Sequence, residues 1–173
     1  MDHLYTPWRY NFITAEKPSD KPGQKTADTD RDCIFCAKLL MTDAEALIVH
    51  RGTHCYICLN LFPYNNGHVM VVPHAHLDSL AKLPLEVAHE MMDLAQRSES
   101  VLRNVYQPNG INMGLNLGEA AGAGIVGHVH LHVLPRWRGD ANFMSVVAET
   151  RVLPEELATT WQRLRDGFAH FAS

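Results

Sequence analysis

The stretch Gly127-His128-Val129-His130-Leu131-His132-Val133-Leu134-Pro135 decides the fold. Apolar residues and histidines alternate strictly in it, which is the period of a β-strand and predicts one from His128 to Leu134, stopped by Pro135. His128, His130 and His132 then share one face, while Val129, Leu131 and Val133 fill the other. A lone histidine would suit a solvated sheet face. Three in alternation, directly after the glycine-rich run Gly118–Gly127, point instead to a wall of imidazoles built for chemistry.

Working upstream, Ile111–Leu117 reads as a strand between the turn formers Pro108-Asn109-Gly110 and the glycine-rich loop. Before it, Leu85, Ala88, Met91/Met92, Ala95, Val101/Leu102 and Val105 recur at helical spacing. They predict one amphipathic helix from Pro84 through Tyr106. Earlier still, Ala46–His50 and His54–Leu61, broken at Arg51-Gly52, read as a hairpin. Val69–Val72 follows as a third strand after the turn-rich Phe62–Gly67. Downstream, a second helix is expected from Pro154, carrying Leu157, Trp161, Leu164 and Phe168. Three strands, a helix and two strands with short links give an α+β fold: a mainly antiparallel five-stranded sheet with a long helix and a C-terminal helix. The chain divides into an N-terminal arm (1–32), a catalytic domain (33–150) and a C-terminal helical extension (151–173). Thr14–Asp32 reads as a surface loop, whereas Tyr5-Thr6-Pro7-Trp8-Arg9-Tyr10 is too aromatic for a free tail and is expected to dock.

Composition narrows the function. The 173 residues suit one catalytic unit, and 46% hydrophobic with 20% charged residues is ordinary for a globular chain. A formal charge of −4 argues against a general nucleic-acid surface, which draws its affinity from Lys and Arg. No apolar segment approaches the roughly 18 residues of a membrane span, and no basic stretch with an apolar run opens the sequence, so a cytoplasmic location is expected.

The four cysteines form two pairs of equal spacing, Cys33/Cys36 and Cys55/Cys58. Two-residue spacing lets both thiolates of the first pair reach one zinc, but a closed tetrahedral site needs two more ligands. The second pair falls in an expected strand, where positions three apart point to opposite faces, so Cys55 and Cys58 read as packing thiols. His50, His54, His89 and His170 are expected in solvent, and Met91/Met92 and the aromatics of the last helix in the core.

Neutral imidazole is a competent nucleophile toward phosphorus near pH 7, and a covalent intermediate splits one hard displacement into two easier ones. The charge growing on the phosphate oxygens wants fixed donors, such as backbone N–H groups of a glycine-rich loop and a neighbouring imidazole.

His128-Val129-His130-Leu131-His132-Val133-Leu134 resembles the His-x-His-x-His-x-x signature of the histidine-triad family. The similarity extends through Asn65–Pro73, Asn116-Leu117-Gly118 and Pro135-Arg136-Trp137. Gly139–Met144 and Tyr5–Tyr10 resemble the bacterial branch of diadenosine tetraphosphate phosphorylases or hydrolases. The resemblance implies a nucleotide hydrolase or nucleotidyl transferase in which His130 is the nucleophile and His132 a phosphate-contacting partner, with His128 completing the triad. It implies Asn60 at the ribose, Asn116 on the phosphate side, His68 in the family's Gly-His segment, and the loop with Gly122 and Gly124 at the phosphate. Many relatives carry a serine where Gly124 stands. The resemblance also implies a structural zinc held by Cys33, Cys36, His76 and His128, with His74 as the alternative to His76, and a homodimer. A low-turnover nucleotide-binding regulator and a hydrolase with a catalytic three-histidine zinc are the competing functions.

Overall fold

The computed structural model describes residues 32–140 and 155–170. Its centre is a five-stranded antiparallel sheet of β1 (Ile48–Arg51), β2 (Cys55–Leu59), β3 (Val69–Pro73), β4 (Gly110–Leu115) and β5 (Leu131–Arg136), in the order β1-β2-β3-β5-β4. Two short helices, α1 (Ile34–Lys38) and α2 (Asp43–Ala46), precede the sheet; α3 (Leu85–Tyr106) and α4 (Leu157–His170) follow β3 and β5. The α+β architecture expected from the sequence is therefore present.

The alternation of β2 and β3 explains why both strands are wholly buried. Cys55, Ile57, Leu59, Val69 and Val71 join one cluster with Val87, Met91, Leu94, Leu102, Leu164 and Phe168, from α3 and α4. Tyr56, Cys58, Met70 and Val72 face the other way and pack with Phe35 of α1, Ala46 and Ile48. Leu131 and Val133 lie on the α3 side, so His132, paired in register with Met70, belongs to the α1 face.

α3 buries Val87, Met91, Leu94, Ala95, Ser98, Val101 and Leu102, spaced three or four apart along one stripe. Truncating a central residue such as Leu102 to alanine would cost about 2–5 kcal/mol. The helix ends at Gln107, which takes a left-handed φ of 48°, and Pro108 follows. Met92 departs from expectation: it is 55% exposed while Met91 is buried, because neighbours on a helix point about 100° apart. α4 is tied to β1 by Trp161, whose Nε1–H donates to the Ile48 carbonyl at 2.9 Å.

The last strand is shifted from its expected bounds. It begins at Leu131 and continues through Pro135, so His128 and His130 lie in the segment entering the strand. Pairing with β3 ends at Val133, leaving β5 an edge on that side at Pro135, where a missing N–H is tolerated. β1 begins at Ile48 because Ala46 ends the capped turn α2 and Leu47 adopts a left-handed φ of 55°. The expected docking of Tyr5–Tyr10, the Thr14–Asp32 loop up to residue 31 and the helix start at Pro154 lie outside the described residues.

Candidate functional site

The entry to β5 separates two sites. On one side, Cys33 and Cys36 from the start of α1, His76 from the segment after β3, and His128 bring four ligand atoms within 4.8 Å of one another. His128 Nδ1 lies 3.4 Å from Cys33 Sγ and 3.6 Å from Cys36 Sγ, and His76 Nδ1 lies 3.4 Å from Cys36 Sγ. Edges of about 3.5 Å are what zinc–sulfur and zinc–nitrogen bonds make in a tetrahedron. His128 Nε2–H donates to the Pro73 carbonyl at 2.9 Å, which directs the Nδ1 lone pair at the thiols, the tautomer a metal ligand requires. The set fits a zinc site. His76 takes the fourth position; His74 instead stacks on Tyr56, ring centroids 6.1 Å apart.

On the other side lies a cleft of about 580 Å³, the size of a small-molecule site. His130, His132, Asn60, Asn116, Gly122 and Gly124 all border it. His130 is 5% exposed, and its Nδ1–H donates to the His128 carbonyl at 2.8 Å. Its lone pair is therefore on Nε2. Burial pushes its pKa below the ordinary histidine value, against a smaller opposing effect of that hydrogen bond.

His132, its ring centroid 4.9 Å from that of His130, has the opposite tautomer. The Tyr64 backbone N–H donates to His68 Nδ1 at 3.2 Å, so His68 carries its proton on Nε2. His68 Nε2 lies 3.0 Å from His132 Nδ1 and donates to it, which leaves the His132 proton on Nε2. Burial, then the neighbouring His130, lower the His132 pKa to about 4, keeping this ring neutral near pH 7. The cleft thus presents a lone pair beside an N–H donor, on two identical side chains.

The remaining expected residues are distributed as follows. His68 does not border the cleft; it is 1% exposed and stands behind His132. His128, fully buried, faces the cysteines. Asn60 accepts from the Phe62 N–H at 3.0 Å and directs Nδ2 toward His68 at 3.4 Å, so its amide also shapes the loop. Cys55 and Cys58 sit in opposite clusters, and burial pushes both thiols up to about 12. His89 and His170 are exposed, but His50 is half-buried, stacked on Phe168 with centroids 5.8 Å apart.

Sequence reasoning missed the apolar end of the cleft. Ile34, Phe35, Met41, Leu61, Phe62 and Ile125 line it, and Phe62 is 79% exposed. Exposed aromatics around a concave site mark ligand contact. The available signal was Ile34-Phe35 between the two cysteines, apolar residues that a zinc loop alone does not need.

Residues 42–139 match the HIT domain family. The chain belongs to the histidine-triad family. This histidine-triad chain is 39% identical over 170 residues to AP-4-A phosphorylase of Mycobacterium tuberculosis, covering 94% of this chain and 86% of that protein. It superposes on the zinc-bound histidine-triad protein of Mycobacterium smegmatis with a TM-score of 0.68 and 29% identity, over 83% of this chain and 98% of the other. A HIT-family protein of Bacillus subtilis matches with a TM-score of 0.57 and 26% identity, over 80% and 96%.

Proposed function

We propose that this protein is a nucleotide hydrolase or nucleotidyl transferase that cleaves a diadenosine polyphosphate or a related adenylyl conjugate through a nucleotidyl-histidine intermediate. The observation that carries the reading is the pair of opposed tautomers at one cleft. His130 Nε2 offers the lone pair that attacks phosphorus. His132 Nε2–H donates to a phosphate oxygen as charge grows there. The P–N bond forms as the P–O bond to the leaving phosphate breaks, and that oxygen departs with the electron pair. In the second step an acceptor attacks phosphorus and returns the electron pair to His130 Nε2. Water as acceptor makes a hydrolase and inorganic phosphate a phosphorylase; likeness to AP-4-A phosphorylase supports the second.

Asn60 serves the ribose, while Asn116 and the backbone around Gly122 and Gly124 serve the phosphates. The apolar end with Ile34 and Phe62 takes the base. Zinc, which Cys33, Cys36, His76 and His128 would hold, would have a structural role, tying α1 to the segment entering β5 that presents His130. His128 completes the triad in sequence but acts as a ligand. Catalysis is assigned to residues 33–150, with 1–32 and 151–173 as extensions. β4 is an edge strand with Met113 41% exposed, and we take it as a surface for a homodimer, which sedimentation would check. No helix among the described residues is long and apolar enough to cross a membrane.

A catalytic three-histidine zinc is disfavoured, because His128 faces the thiols while His130 Nδ1 is committed to a carbonyl. A low-turnover nucleotide-binding role is the reading favoured by Gly124, where a relative's serine hydroxyl has no counterpart. Incubation with diadenosine tetraphosphate, with and without phosphate, separates these. ADP plus ATP only with phosphate means phosphorylase, AMP plus ATP without it means hydrolase, and an inert protein that binds the nucleotide would overturn the enzymatic reading.

A further inference from the structure

His68, which sets the tautomer of His132, ends the segment Pro63–His68 between β2 and β3, and that segment is held from several sides. Asn65 Nδ2 donates to the Pro135 carbonyl at 3.1 Å and to Asp140 Oδ2 at 2.7 Å. On the opposite side Gly67 takes a φ of +75°, and a Cβ there would stand 2.9 Å from Cε2 of the Tyr106 ring. Glycine is thus required both by the backbone and by the closeness of this ring.

Tyr106 is the last residue of α3, and its ring is pinned by the start of the C-terminal region. The Tyr106 hydroxyl donates to Glu155 Oε2 at 2.5 Å. The same carboxylate accepts from the Thr160 hydroxyl at 2.7 Å and from Arg163 Nη1 at 2.5 Å. The Arg163 guanidinium also lies over the Tyr106 ring, 4.6 Å from its centroid. Burial alone would raise the Glu155 pKa, yet the bonds from Tyr106, Thr160 and Arg163 together hold it below the usual carboxylate range. Asn66, Gly67 and His68 share a narrow gap of about 10 Å³ with Glu155, Leu157 and Thr160. None of Glu155, Thr160 or Arg163 falls within the matched family segment, residues 42–139.

We propose that Glu155 and Tyr106 are positioning residues for the His68–His132 pair, so that the C-terminal helix fixes which nitrogen of His132 carries the proton. The proposal rests on the reading of His132 as the phosphate donor. Its physical basis is a stack of contacts: Glu155 holds the Tyr106 hydroxyl, the Tyr106 ring backs Gly67, and Gly67 seats His68 against the Tyr64 N–H. If His68 shifts out of reach of that N–H and of the Asn60 Nδ2 amide, which points at the same nitrogen from 3.4 Å, its Nδ1 can take the proton. His68 Nε2 then becomes an acceptor, His132 Nδ1 must donate to it, and the N–H facing phosphate is lost.

The test combines ¹⁵N-histidine spectra of the ligand-free protein with turnover of diadenosine tetraphosphate, for wild type, Tyr106→Phe, Glu155→Ala and Glu155→Gln. Wild type should show His132 as the Nε2–H tautomer. Tyr106→Phe and Glu155→Ala should show a mixture, with kcat down about tenfold and KM within about twofold. Glu155→Gln keeps an acceptor for the tyrosine and should retain kcat within about threefold. Folded variants with the wild-type tautomer would overturn the proposal, whether or not kcat falls. Should Glu155→Ala fail to fold, Tyr106→Phe, which removes a single oxygen, decides. Should wild type turn over no nucleotide, the proposed function fails, while the spectra still judge the positioning role.

Discussion

His128 and His132 stand four residues apart on one face of the same segment, yet their rings are committed to different work. His128 gives its Nε2 proton to the Pro73 carbonyl and turns Nδ1 to Cys33 and Cys36. His132 accepts a hydrogen bond from His68 on Nδ1 and keeps its own proton on Nε2 at the cleft. His130, between them, borders the same cleft with the reverse arrangement. Alternation puts the imidazoles in a row; the partner of the second nitrogen decides whether each turns a lone pair or an N–H to the cysteines or the cleft. The two cysteine pairs teach the same lesson, since equal spacing gives a shared metal site at a helix start and two separated core thiols in a strand.

The largest effect should come from the cleft side. His130→Ala should lower turnover on the order of 10⁴-fold, because the proposed nucleophile is removed. Zinc content by mass spectrometry should stay at the wild-type value. Loss of zinc together with activity would mean that the two ends of the run are not separate sites.

Cys33→Ser should act in the opposite sense. With free zinc a thousandfold above its dissociation constant, a site closed only in the folded chain is worth about 4 kcal/mol, so its loss should lower Tm on the order of 10 °C. Activity should fall less than in His130→Ala, because α1 loosens while His130 keeps its hydrogen bond to the His128 carbonyl. Cys58→Ala, by contrast, should leave zinc stoichiometry unchanged. Equal zinc in Cys33→Ser and wild type would remove the metal site.

The contrast also explains what was legible beforehand. The sheet and α3 could be read because their apolar periods, in Cys55–Leu59, Val69–Pro73 and Val87–Leu102, are set by burial. The site residues could be read as types, since His130, His132, Asn60, Asn116 and the glycines all reach the cleft. Their roles within it could not, because a tautomer depends on a through-space partner such as the Tyr64 N–H behind His68. Strand ends were misplaced where tertiary context wins: Pro135 stays in β5 because β3 stops short, and Leu47 delays β1 by turning left-handed. The coupling of Glu155 to Tyr106 spans 49 positions and leaves no periodic trace.

A gentler probe of the cleft side is pH. The folded His132 pKa of about 4, below the ordinary 6.5, means the unfolded chain binds a proton that the folded chain refuses between those values. Stability from this group is therefore intact above pH 6.5 and declines as pH falls toward 4, with no further loss below. His130 shifts in the same direction, so the acid limb of turnover should lie below the pH that an ordinary histidine would set. Urea unfolding from pH 7 to 4, compared between wild type and His132→Asn, checks the sign. An equal slope in both would take the stability effect away from His132.

The smallest change tests whether the loop before the histidine run reaches the reacting phosphate. A Cβ at Gly124 would meet nothing within 4 Å, and the position needs no left-handed backbone, so Gly124→Ser should fold without strain and shift stability by no more than about 0.5 kcal/mol. Its hydroxyl would stand at the cleft with His130 and His132. One neutral hydrogen bond contributes about 0.5–1.5 kcal/mol, so a hydroxyl meeting phosphate only in the transition state should raise kcat severalfold. A fall in KM with constant kcat would place the loop at ground-state binding alone. No change in either would put the reacting phosphate out of the loop's reach and leave charge stabilisation to His132.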